Sequence, residues 1–101
     1  MWPQQSGRRR PIPVLPDAPS FDQLIAAIVA TRERTNRLLR LKLSRTDLKA
    51  LRESLEDLSA AERLLESPDA ADKSHILRAA NVYIDVAQRR VDGVVSAIDA
   101  G

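Results

Sequence analysis

The side chains of this 101-residue chain that come closest to a reactive cluster are Asp69, Asp72 and His75, spaced by three residues. Carboxylates and an imidazole on one side of a helix offer the oxygen and nitrogen donors a divalent cation accepts. No second cluster completes a coordination shell, and the same spacing describes a solvated acidic turn at a helix start, where the dipole favours carboxylates. No metal and no other cofactor is therefore expected. Tyr83 falls on an apolar stripe and is expected in the core, with its hydroxyl reaching the edge. Cysteine is absent, which removes thiolate chemistry and disulfides. No nucleophile has an adjacent base, no glycine loop is built to cradle phosphate, and no carboxylate pair sits in a pocket-forming context. The expectation is a protein that is not an enzyme.

Arginine chemistry is better represented. Arg32, Arg34, Arg37, Arg40, Lys42 and Arg45 stand against the single acid Glu33, and such density suits phosphate contacts. Arg8, Arg9 and Arg10 could add a groove-inserting arm. A nucleic-acid binder working through Arg8, Arg9, Arg10, Arg34, Arg37 and Arg40 is thus the alternative reading. Against it, no aromatic residue interleaves with the cations for stacking and no helix-turn-helix signature is present. The charge is also segmented: residues 1–45 carry +6, residues 46–72 carry −5 and residues 73–101 carry +1. A basic half that lies against an acidic segment is self-complementary, and this is the preferred reading of the pattern.

The stretch that precedes the first helix, "RRRPIPVLPDAPS", holds four of the six prolines. A secretory signal needs an unbroken apolar region behind its positive charges, and prolines interrupt it here. No run approaches the roughly twenty apolar residues of a membrane span, so a cytoplasmic protein is expected. Arg10, Pro13 and Pro16 match a polyproline II ligand pattern. More broadly, residues 1–19 read as an extended or disordered arm, with Trp2, Ile12, Val14 and Leu15 as apolar anchors for a neighbouring subunit.

Residues 20–101 must then form the domain that positions these groups. Gly is scarce and Ala, Leu, Arg and Glu are abundant, so the class is all-α. Helices are expected at about 20–44, 47–66 and 68–100. Ser20 with Gln23 forms a capping box, and the seam behind it turns polar at Thr31 and Thr35, hydroxyls that need partners if buried. Leu48, Leu51, Leu55, Leu58 and Leu65 form a narrow stripe that wants another helix, in the same chain or in a second copy. Ser67, Pro68 and Asp69 read as a helix start, and Ile76, Ala80, Tyr83, Ala87, Val91, Val94 and Ile98 as the face of the last helix, widened by Leu77, Ile84 and Val95. Gly93 is a weak point there. "RLKLSRTDLK" contains neither Gly nor Pro, and Leu38, Leu41, Ser44, Leu48 and Leu51 nearly continue one seam. If Ser44 or Thr46 caps a new helix the fold is a small three-helix bundle; if not, residues 20–66 form one helix in a long helical hairpin. The bundle is the expectation.

The segment "SPDAADKSHILRAANVYIDVAQRRVDGVVSAID" resembles the C-terminal half of needle and inner-rod subunits of type III secretion systems, in its Pro/Asp turn before an amphipathic helix bearing Asn81-Val82-Tyr83. The resemblance covers about a third of the chain, and the arm and leucine-striped middle do not follow it. It implies a helical building block without chemistry of its own. The functional expectation is a non-enzymatic helical interaction or structural protein, a subunit, adaptor or chaperone-like module. It would associate with itself or a partner protein through Leu48, Leu51, Leu55 and Leu58 and through the arm residues Trp2, Ile12, Val14 and Leu15.

Overall fold

The computed structural model describes residues 19–100. Three α-helices and one short 3-10 turn make up these residues, with no strand among them: α1 (Phe21–Leu38), α2 (Arg45–Leu65), the turn at Ala70–Asp72, and α3 (Ser74–Ala100). The all-α bundle expected from composition is the fold observed. α2 and α3 share the most extensive contact, and α1 lies against both.

α1 starts on the expected capping box: the Gln23 amide donates to Ser20 Oγ at 3.1 Å, and the Ser20 amide donates to Gln23 Oε1 at 2.9 Å. The helix stops at Leu38, six residues before the expected boundary. Ser44 supplies the reason. Its backbone is extended (φ −66°, ψ 162°) and its Oγ accepts the Asp47 amide at 3.1 Å, which starts α2. Reversing the chain there also lets Leu38, Leu39 and Leu43 pack around Leu51 in the same chain.

α3 begins at Ser74 and not near Pro68. The Ser67-Pro68-Asp69 sequence does start a turn: the Ala70 amide donates to the Ser67 carbonyl at 3.0 Å, and Ala70 is buried beneath the bend. Lys73, at φ −114° and ψ 99°, then breaks the helical path before α3. Residues 66–73 are used to reverse direction, which a helix starting at Pro68 would prevent.

The core has two apolar compartments. Leu24, Ile28, Leu58, Ala61, Leu65, Leu77, Ala80, Ile84 and Ala87 form the larger one. Leu51, Val91 and Val94 form the smaller, at the α1–α2 connection. Between them along α1 and α2 lie the buried polar residues Thr31, Thr35 and Ser54. Thr35 Oγ1 donates to the Thr31 carbonyl at 2.7 Å, and Ser54 Oγ donates across to the Ala87 carbonyl at 3.3 Å. The polar middle of α1 therefore stays inside, with the Thr35 hydroxyl bonded to its own helix.

Two positions assigned to the core from spacing are corrected. Tyr83 is 41% exposed and Ile98 is 38% exposed. The buried face of α3 is centred on Leu77, Ala80, Ile84, Ala87, Val91 and Val94, which leaves Tyr83 on its flank. The Ser54–Ala87 contact fixes which parts of the antiparallel α2 and α3 lie level. Equal steps from it carry the last turn of α3 past the start of α2 at Arg45, so Ile98 lies beyond α2.

Candidate docking surface

Ion pairs identify which flank of each helix faces which neighbour. Arg32 of α1 grips Glu62 of α2 with both guanidinium nitrogens, Nη1 to Oε2 at 3.0 Å. That hydrogen-bonded contact holds the Glu62 carboxyl below the usual carboxylate range and the Arg32 guanidinium above its ordinary value, against the opposing effect of burial. Arg34 of α1 reaches Asp92 of α3 at 2.9 Å. Arg90 of α3 bridges Glu53 at 3.0 Å and Asp57 at 2.9 Å on α2. The self-complementary reading of the charge is observed in part: one α1 cation meets the acidic segment, while Arg90 takes two of its acids.

Side chains seven apart on a helix share a flank. Ile25 therefore lies on the Arg32 flank of α1, and Leu48 and Leu55 on the Glu62 flank of α2. These flanks meet at the α1–α2 seam, with the Arg32–Glu62 pair in the middle. Toward the start of α1 the seam is edged by Ile25, 38% exposed, with Val29, 49% exposed, further out on the same helix. Toward the start of α2 it is edged by Leu48 and Leu55, both half-buried. A second exposed apolar pair, Val82 and Tyr83, lies on α3.

The expected partner-binding leucines therefore separate into two kinds. Leu51 and Leu58 are fully buried inside the chain, so α1 and α3 already answer the stripe they belong to. Leu48 and Leu55 remain accessible at its edge. Ile25, which spacing sets alongside the Leu24–Ile28 seam, and Val29 join them, though neither was expected to bind a partner; their signal was a second apolar file beside that seam. Trp2, Ile12, Val14 and Leu15, with Arg8, Arg9 and Arg10, lie outside the described residues.

The nucleic-acid alternative is also redistributed. Arg34 is engaged with Asp92, whereas Arg37 and Arg40 are exposed. Arg37 occupies the last turn of α1, where a cation complements the helix dipole. Asp69 pairs with Lys73 at 3.6 Å, and no group of three or more His, Cys, Asp or Glu among the described residues is placed to hold a metal ion. Among the described residues no helix is long and apolar enough to cross a membrane. No family model, curated protein or solved structure matches the chain.

Proposed function

We propose that this chain is a non-enzymatic helical interaction module that associates with itself or docks on a partner protein along the α1–α2 seam, with the N-terminal arm adding contacts. The observation that carries the reading is the seam itself. Ile25 and Val29 stay exposed near one end of it and Leu48 and Leu55 half-buried toward the other, although the Arg32–Glu62 pair between them shows that the two helices are already fitted together. Large aliphatic side chains that border a finished helix contact are the material of protein interfaces.

The test is light scattering on the full chain and on Val29→Glu and Leu55→Glu variants, with circular dichroism as the folding control. Loss of association with helicity retained supports the seam. Unchanged association in both variants moves the interface elsewhere. The alternative, nucleic-acid binding, draws on the exposed Arg37, Arg40, Lys42 and Arg45 around the α1–α2 connection. It expects absorbance at 260 nm that travels with the protein at low salt, and loss of that binding in Arg37→Gln/Arg40→Gln.

A further inference from the structure

We propose that the exposed Ile25–Val29 file is covered by the chain's own arm, residues 10–15, folded back along α1. The inference deepens the reading above by stating where the arm makes its contacts, and it rests on that reading for the arm's role. Asp22, Ile25, Val29 and Glu33 are all exposed and follow one another along α1 at steps of three and four, which puts them on one face of the helix. Neither Asp22 nor Glu33 forms an ion pair among the described residues. Asp22 suits the positive start of the helix, whereas Glu33 lies toward the end that the dipole disfavours for an acid. The face is an apolar file closed at its far end by a carboxylate.

Residues 1–18 lie outside the described residues, and they join the bundle through Pro19 and Ser20, just below this file. Their order is the order the face requires. Read back from Ser20 come Pro19, Ala18, Asp17 and Pro16, residues suited to a chain reversal; then the apolar Leu15, Val14 and Ile12; then Arg10, Arg9 and Arg8. Arg10 and Ile12 each precede a proline, which favours extended backbone. An extended chain advances about 3 Å per residue, twice the helix rise of about 1.5 Å, so two arm residues pass four of α1. From a reversal at Pro16–Pro19, Val14 comes level with Ile25, Ile12 with Val29 and Arg10 with Glu33. Alternate residues of an extended chain share a side, so all three face the helix together. One turn beyond Glu33 stands the exposed Arg37, which repels Arg8 and Arg9 and ends the contact there. The joint at Ser20 favours this occupant over a second copy, because a short tether holds the arm at an effective concentration on the order of mM. The surface left to a partner is then Leu48 and Leu55, the outer side of the docked arm, and Trp2.

The absence of cysteine allows a single nitroxide on the full, isotope-labelled chain at Asn36→Cys, an exposed position on the Val29 flank. With the arm docked, Ile12 lies about 10 Å from the label along the helix axis and Arg10 about 5 Å. The amide signals of Arg10 and Ile12 should be lost to paramagnetic broadening. They should return in Val29→Lys/Glu33→Lys, with helicity unchanged by circular dichroism. In a mixture of isotope-labelled chain without nitroxide and unlabelled chain that carries it, every arm signal should survive. Signals retained in the first sample overturn the docking. Signals lost in the mixture give the face to the arm of a second copy, which overturns it equally, and broadening that persists in Val29→Lys/Glu33→Lys overturns the register. The association reading stands or falls separately: Leu55→Glu should abolish association by light scattering and leave the broadening in place.

Discussion

α1 and the α2–α3 pair solve the same packing problem with different materials. α2 and α3 face each other with Leu58, Ala61 and Leu65 against Leu77, Ala80, Ile84 and Ala87, and continue through Leu51 to Val91 and Val94. α1 brings Leu24 and Ile28, then two threonines, and adds ion pairs to each neighbour. Half-exposed ion pairs add little in water. The comparison teaches that this bundle is a stable hairpin carrying a helix held less firmly.

The largest effect expected is from Leu58→Ala. It should remove about 2–5 kcal/mol, the range for emptying a buried leucine site, and shift the denaturation midpoint of all three helices together. If the midpoint stays where it is in that variant, the hairpin is not the foundation. Native-state hydrogen exchange sharpens the same contrast: α1 amides should exchange through an opening about 1–3 kcal/mol below the global unfolding seen for the α2 and α3 cores. Equal protection in all three helices would erase the difference. Ser54→Ala removes the hydroxyl donated to the Ala87 carbonyl and should cost about 1 kcal/mol, visible in urea titration. The smallest effect belongs to Glu62. Its lowered carboxyl contributes stability that is present above the ordinary carboxylate range and lost as pH falls through its folded pKa. Glu62→Gln should thus cost under about 1 kcal/mol at neutral pH and flatten the acid limb of the pH–stability curve, without touching the α2–α3 contact.

The parts of this fold that sequence could show were those governed by local physics. The capping box at Ser20, the cap at Ser44 and the stripe containing Leu51, Leu58 and Leu65 all depend on neighbours within one or two turns. The errors came where long-range geometry decides. Pro68 carries a helix-start signal, but the chain must first turn through Ala70 to bring α3 back along α2. Tyr83 and Ile98 fit the period of a core face, yet the centre and the length of that face are set by α2. Leu51 and Leu58 were legible as apolar and unreadable as to partner, because spacing is the same whether the covering helix belongs to this chain or another. Ile25 and Val29 were missed because a file at the edge of a buried seam becomes visible only when the neighbouring helix is in place.

The hydroxyl of Ser54 has one more consequence, for uniqueness and not for strength. Ala80, Ile84, Ala87, Val91 and Val94 present much the same relief every turn, and a helix sliding by four residues along α2 would find similar apolar contacts. In the observed alignment the buried hydroxyl reaches the Ala87 carbonyl, and an alignment that left it without an acceptor would cost more than the bond is worth when made. The polar layer thus acts as a detent, choosing one alignment of two nearly smooth surfaces.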